Sequence, residues 1–211
     1  MDLNYIVIEG NIGAGKTTLA KMIAHEFNAK LILEQFADNP FLPKFYKEPE
    51  KYSFQLELSF LAERYQQLNN ELTSRDLFRP FTVADYYFMK SLIFARSTLK
   101  EDEYNLYRQI FQIIYKSIPK PDLYVYLHVD VNNLRSNIAK RGRDYEQSIS
   151  AEYLSKIQDG YYDFFKQQSD IAFLIIDSNN MDFVENQSDY AKMKELIFNR
   201  KYEKGITRIT I

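Results

Sequence analysis

The run Gly10-Asn11-Ile12-Gly13-Ala14-Gly15-Lys16-Thr17 constrains this 211-residue chain more than any other stretch of it. It satisfies G-x-x-x-x-G-K-[ST], a loop whose glycines let successive backbone N–H groups turn inward around an anion. A chance match in a chain this long has a probability of roughly one percent, so the flanking sequence decides whether the motif is real. Before it, Tyr5-Ile6-Val7-Ile8-Glu9 is apolar, rich in β-branched residues and ended by glycine, which fits a buried parallel strand. After it, Thr17 to Phe27 carries Leu19, Ile23 and Phe27 at helical spacing. Strand, glycine loop and helix together make a cradle for a triphosphate, to which the helix N-terminus adds its positive dipole end. Lys16 then reaches the β- and γ-phosphates and the Thr17 hydroxyl binds Mg²⁺. Gly10, Asn11, Ile12, Gly13, Ala14, Gly15, Lys16, Thr17 and Thr18 are the expected phosphate-side contacts of ATP or a close relative.

The rest of the chain continues the alternation. Leu31-Ile32-Leu33, Phe81-Thr82-Val83-Ala84, Leu123 to Val129 and Ile171 to Ile176 read as four further strands. From Ser53 a long helix carries Phe54, Leu58, Leu61, Tyr65, Leu68 and Leu72 on one face. Others run from Glu101 to Ile118, Leu134 to Arg141 and Tyr190 to Phe198. Asn39-Pro40-Phe41-Leu42-Pro43 reads as a turn, and the tail from Lys204 carries no functional reading. Strands alternating with helices predict one α/β domain over residues 1–211, a five-stranded parallel sheet covered on both faces. No internal repeat or linker interrupts it.

Composition removes several functions. Lys+Arg 27 against Asp+Glu 29 leaves a net charge of -2, so no general basic field exists to hold a nucleic-acid backbone. There are no cysteines, hence no thiol catalysis and no thiolate metal site. No apolar run approaches about 18 residues, so no membrane span is expected and a cytoplasmic setting is the default. Aromatics reach 16%, mostly for the core. His25 and His128 are far apart and read as structural.

A phosphate cradle serves kinases, GTPases and motors alike. A guanine motif such as N-K-x-D is missing, and a motor needs more chain, which leaves a small-molecule kinase. That requires a lid, a base and an acceptor pocket. Arg141-Gly142-Arg143, within a segment spanning about 138–150, supplies the lid: two planar guanidinium groups that can close on phosphate oxygens.

With those parts in place the chain resembles the deoxynucleoside kinase family. The likeness runs through I-E-G-N-I-G-A-G-K-T-T, Y-x-x-P-x-x-Y-S-F and R-G-R-D-Y-E-Q-S-I to Leu174-Ile175-Ile176-Asp177. It implies an ATP-dependent kinase of a deoxynucleoside, with Mg²⁺ and a homodimer packed through helices. Glu34 becomes the carboxylate at the acceptor 5′-hydroxyl, a role consistent with its place at the end of a strand beside the cradle. Tyr46 and Glu146 match the pair that holds the sugar 3′-hydroxyl. Glu57 and Arg64, seven apart on one helix face, fall in the base pocket, where the family commonly has glutamine at the first. An ionised glutamate only accepts hydrogen bonds, which suits the adjacent N–H donors of guanine better than adenine. The resemblance, whose bacterial members lean toward purine deoxynucleosides, implies a purine, with adenine and guanine left open. A short adenine-contacting loop after Asp177 includes Asp182 and Phe183.

The main departure is Ala84-Asp85-Tyr86-Tyr87, where the family usually carries an acid-Arg-Ser triplet. Ungapped matching puts Ala84 on the acid; a slip of one puts Asp85 there, where it can share Mg²⁺ with Thr17. The arginine is missing in either case, and Lys90 or Arg96 on the next helix are the cations within reach. Two other readings compete: a nucleoside monophosphate kinase, and a non-enzymatic kinase-like subunit. The missing arginine counts against the first, and intact Lys16, Thr17 and Glu34 against the second.

Overall fold

In the computed structural model a parallel sheet forms the centre of the molecule, with β1 (Tyr5–Gly10) buried along its whole length. Residues 3–35, 39–73, 76, 78–143 and 146–210 are described, with only the backbone at Tyr46. The order is β2 (Lys30–Ile32), β3 (Thr82–Ala84), β1, β4 (Leu123–His128), β5 (Ala172–Asp177) and β6 (Gly205–Thr210), every pair parallel. The sheet therefore has six strands where five were expected. The sixth is the tail, in register from Ala172↔Gly205 to Asp177↔Thr210. Its residues alternate between half-buried and exposed, as a period-2 strand on one edge of a sheet must.

Sheet faces carry separate cores. Ile6, Ile8, Val125, Leu127, Leu174 and Ile176 point to one side, against α1 (Lys16–Glu26), α6 (Val131–Arg141) and α8 (Gln187–Phe198). Tyr5, Val7, Tyr124, Tyr126, Phe173 and Ile175 point to the other. There they meet α3 (Pro49–Thr73), α4 (Lys90–Thr98), α5 (Glu101–Tyr115) and α7 (Ala151–Gln167). The aromatic surplus is spent on that second face, where Phe165 lies 4.9 Å from Phe173 and 5.1 Å from Tyr126, centroid to centroid. Such pairs add to burial by edge-to-face and tilted contacts.

Two helices were not anticipated. The Asn39–Pro43 turn runs directly into α2 (Leu42–Lys47), with proline in its first turn, where the missing N–H costs nothing. The longer α7 starts at Ser150, whose side chain accepts from the Tyr153 N–H, and buries Leu154, Ile157, Tyr161, Phe164 and Phe165. Gly160 permits its close approach to α4: a Cβ there would lie 2.9 Å from Ile93 Cγ2.

Because β1 is flanked by β3 on one side and β4 on the other, the chain order reverses beside it. Ligands in such sheets collect outside the carboxyl ends of the strands at that reversal. Gly10, Ile32, Ala84, His128 and Asp177 all end strands there, and the loops that follow them build the site.

Candidate active site

The cradle leaves β1 at Gly10. Gly13 and Gly15 adopt φ 86° and 83°, the left-handed region where side chains other than glycine are strained. Asn11 holds the loop from within: its amide donates to the Leu154 carbonyl on α7 (2.7 Å) and its oxygen accepts the Ile12 N–H (2.8 Å). From α6, Asn137 donates to the Gly13 carbonyl at 2.9 Å. Gly15 begins α1 with no side chain capping the first turn, so the helix N–H groups remain available to an anion.

Lys16 is half-buried, and desolvation together with the nearby charge of Lys90 lowers its pKa to about 8 against the pull of Glu9, Glu34 and Asp85. Glu9 lies behind the loop, fully buried. Its carboxylate accepts from Tyr87 N–H (3.0 Å), Tyr161 hydroxyl (2.9 Å) and Gly10 N–H (3.2 Å).

After β3 it is Asp85, not Ala84, that meets the cradle. Ala84 is wholly buried in the core, whereas Asp85 accepts the Thr17 hydroxyl at 2.5 Å through one oxygen and the Glu34 N–H at 2.8 Å through the other. Such a contact with Thr17 is what the slipped match expects of Asp85, and Ala84 has no polar side chain to make it. A hydroxyl and a carboxylate side by side at the head of α1 fit a hard cation that keeps most of its waters. Among the described residues no group of three or more acidic, His or Cys side chains gathers round a metal, and none is needed when phosphates complete the shell.

Glu34, just past β2, is gripped from two sides. Arg64 Nε and Nη2 donate to Oε1 at 3.0 and 2.7 Å, and Lys90 Nζ donates to Oε2 at 2.5 Å. Burial alone would raise the carboxyl, but Lys90 and Arg64 outweigh it and bring its pKa down to about 2. Of the two cations considered for the missing arginine, Lys90 is the one inside, 5% exposed. Arg96 pairs with Glu101 on the surface at 3.0 Å. Arg64, expected in the base pocket, directs its guanidinium to Glu34 and also donates to the Ser91 hydroxyl (2.9 Å).

One helical turn pair away, Glu57 is 4% exposed. Oε1 accepts the Thr98 hydroxyl at 2.8 Å, and Oε2 is buried with no partner among the described residues. Burial pushes its carboxyl up to about 7, opposed by Arg64 and Thr98.

Arg141 ends α6, capped by left-handed Gly142, and both Arg141 and Arg143 form ion pairs with buried Glu146, the latter at 3.2 Å. The structure thus ties Glu146 to the arginines on both sides of Gly142. Asp144 and Tyr145 lie outside the described residues, as does the Tyr46 side chain.

On the donor side a cleft of about 440 Å³ joins Gly13–Thr18 to Lys140 and Arg141 at one end and to Ser178, Asn179, Asp182 and Phe183 at the other. Asp182 accepts the Val184 and Glu185 N–H groups (3.2 and 3.0 Å) and so shapes the loop. Phe183 is mostly buried, its ring packed against Gly15. Asn133, Asn137, Lys140 and Asn179 were not anticipated. Their only signal was position, since each lies after or just beyond the carboxyl end of β4 or β5. His128 makes no metal site: Gln158 and Tyr162 occupy its Nδ1 at 2.7 and 3.0 Å.

A family model described as deoxynucleoside kinase matches residues 6–201. Deoxyguanosine kinase of Bacillus subtilis (strain 168) is 38% identical over 203 residues, covering 92% of this chain and 97% of its own. Deoxyadenosine kinase of Dictyostelium discoideum is 33% identical over 166 residues, 78% of this chain and 68% of its own. Among solved structures, deoxyadenosine kinase from M. mycoides with bound dCTP superposes with a TM-score of 0.75 at 26% identity, covering 91% of this chain and 98% of that one.

Proposed function

The chain belongs to the deoxynucleoside kinase family, and from that premise we propose that it transfers the γ-phosphate of ATP to the 5′-hydroxyl of a purine deoxynucleoside, deoxyguanosine first. The observation that carries the reading is the chain of contacts Thr17–Asp85–Glu34. It links the head of the phosphate cradle to a buried carboxylate through one acid.

Lys16 and the N–H groups of Gly13 to Thr18 hold the β- and γ-phosphates. Thr17 and Asp85 would hold Mg²⁺, which when bound neutralises the charge of the β- and γ-oxygens. Glu34 accepts the 5′-hydroxyl proton. A carboxyl held at about 2 is a weak base, so its first task is orientation. In a loose phosphoryl transfer the proton leaves late, once the new O–P bond has formed. Arg141 and Arg143 close on the transferring group, and Glu146 with Tyr46 takes the 3′-hydroxyl. Asp182 and Phe183 border the donor base.

Deoxyguanosine is preferred on the chemistry of Glu57. Guanine offers N1–H and N2–H side by side, and an ionised carboxylate with an unpartnered oxygen accepts both. The relative at 38% identity is itself named a deoxyguanosine kinase. A monophosphate acceptor is disfavoured because Arg64, the buried arginine nearest Glu34, is already committed to it.

We further propose a homodimer: Leu106 and Ile113 on α5 are 50% and 76% exposed, one and two turns along a stripe with Ile110. No helix among the described residues is long and apolar enough to cross a membrane, and the cytoplasm, where ATP and nucleosides meet, is the proposed setting.

Turnover of all four deoxynucleosides with ATP and Mg²⁺, with ribonucleosides as controls, tests the reading. Deoxyguanosine should give the highest kcat/KM and ribonucleosides at least tenfold less. A pyrimidine deoxynucleoside in first place would overturn the purine assignment.

A further inference from the structure

Lys90 is the second residue of its kind in the site and has no place in the scheme above. It opens α4 at 5% exposure, with its ammonium 2.5 Å from Glu34 Oε2 and 5.3 Å over the Phe94 ring. An ammonium has three donors. Among the described residues, Glu34 is the one hydrogen-bond acceptor for this one. Burying such a group with two donors unused is costly unless something else fills them.

Its surroundings say what fits. Lys90 is held on the same side of the sheet ends as the cradle, because Glu34, which accepts from it, is itself tied to Asp85. Lys90 and the head of α1 are joined by a short run of contacts, Lys90 to Glu34 Oε2, Glu34 N–H to Asp85 and Asp85 to the Thr17 hydroxyl, with unused ammonium donors at one end and uncapped helix N–H groups at the other. An anion placed between the two would fill both sets of donors. Lys16 marks one side of the γ-phosphate. A hydroxyl held by Glu34 marks the other, and lies within about 5 Å of Lys90 Nζ, two hydrogen-bond lengths through one carboxylate oxygen.

We propose that Lys90 is a catalytic residue, donating to a non-bridging oxygen of the γ-phosphoryl group as it passes from ATP to the acceptor held by Glu34. The inference rests on the donor and acceptor assignment of the preceding section. In the step itself the bond from the 5′-oxygen to γ-phosphorus forms, and the bond from γ-phosphorus to the β,γ-bridging oxygen breaks. ADP leaves with that electron pair, and the hydroxyl proton passes to Glu34. Lys90 exchanges no proton. It balances negative charge spread over the equatorial oxygens, opposite Lys16.

Lys90→Met tests this directly. Glu34 keeps both hydrogen bonds from Arg64, so the variant does not strand a buried carboxylate. Loss of one fixed donor to a transition state costs on the order of 10²- to 10³-fold in kcat. We expect that loss, with KM for ATP and for the deoxynucleoside within about threefold of the parent. A purely structural ion pair would also lower kcat, so the ratio of rates with ATP and with ATPγS is the deciding measurement. Sulfur at γ-phosphorus weakens a contact to a non-bridging oxygen, and a variant lacking that contact should show a ratio at least threefold smaller than the parent. An unchanged kcat, or a lowered kcat with the parent's ATP/ATPγS ratio, overturns the assignment. Should methionine prevent folding, Lys90→Gln, which keeps a donor to Glu34 without the charge, carries the same two expectations. A parent enzyme with no turnover of any deoxynucleoside would refute the proposed function; a parent that turns over beside an unaffected variant refutes only the role of Lys90.

Discussion

Replacing Glu57 by glutamine changes one atom in a buried pocket and should reverse the choice of base. At pH 8 the parent carboxyl, whose pKa burial sets at about 7, is mostly ionised and can accept both guanine N–H groups. In Glu57→Gln the amide oxygen keeps one of those bonds at neutral strength, while the amide NH₂ faces the other donor. One charge-assisted bond is weakened and one N–H is left buried without an acceptor. Together these cost about 2–4 kcal/mol, or roughly 30- to 700-fold in kcat/KM for deoxyguanosine. Adenine gains: glutamine accepts from N6–H and donates to N1, a match an ionised glutamate cannot make. The assay is kcat/KM for deoxyguanosine and deoxyadenosine at saturating ATP, parent against variant. Removal of a buried charge that burial disfavours should leave the melting temperature level or higher. A guanine-to-adenine ratio within threefold of the parent's, in a folded variant, would take Glu57 out of base recognition.

The same carboxyl predicts a pH dependence in the unmutated protein. Below pH 7 it is protonated and can donate to adenine N1; above, it only accepts. The ratio of deoxyguanosine to deoxyadenosine turnover should therefore climb between pH 6 and pH 8, and a flat ratio would contradict the assignment. Glu34→Gln should lower kcat by at least about 100-fold while ATP affinity, measured by titration, stays within threefold. It should also flatten the acid limb of the stability curve. A carboxyl lowered from 4.5 to about 2 contributes stability that is complete above pH 4.5 and lost as the pH falls through 2. Gly13→Ala should cost ATP binding and fold together. Its Cβ would lie 2.8 Å from the Leu134 carbonyl at φ 86°, a strain of about 2 kcal/mol before the clash is counted, or roughly 4–8 °C in melting temperature.

What the sequence made legible followed from local chemistry. The cradle could be read because glycine, lysine and threonine at fixed spacing have few other uses; Glu34 was singled out by the family resemblance, with which its place at a strand end beside the cradle agrees. The sixth strand escaped notice because Gly205 to Thr210 is short and only half-buried, and pairs across 33 residues of sequence with β5. The helix α7 has a regular apolar stripe, but Gly160 weakens the pattern by about 1 kcal/mol of helix propensity. Packing on α4 overrides it, which only the fold reveals. Arg64 could be placed on a helix face from the sequence, but its ion-pair partner could not. It pairs neither with Glu63 beside it nor with Glu57 one helical face away but with Glu34, thirty residues distant, because the Glu34 backbone N–H donates to Asp85 and holds its carboxylate within reach of both Arg64 and Lys90. Local register after β3 was likewise undecidable from one chain, since Ala84 and Asp85 differ by a single slip.

The most direct test of the account follows the label from [γ-³²P]ATP into deoxyguanosine and into its 5′-monophosphate, offered separately with Mg²⁺. The geometry of Glu34 beside Thr17 and Asp85, with Arg64 already paired, predicts labelled 5′-monophosphate from deoxyguanosine and little transfer to the monophosphate. Label passing only to the monophosphate acceptor would contradict it.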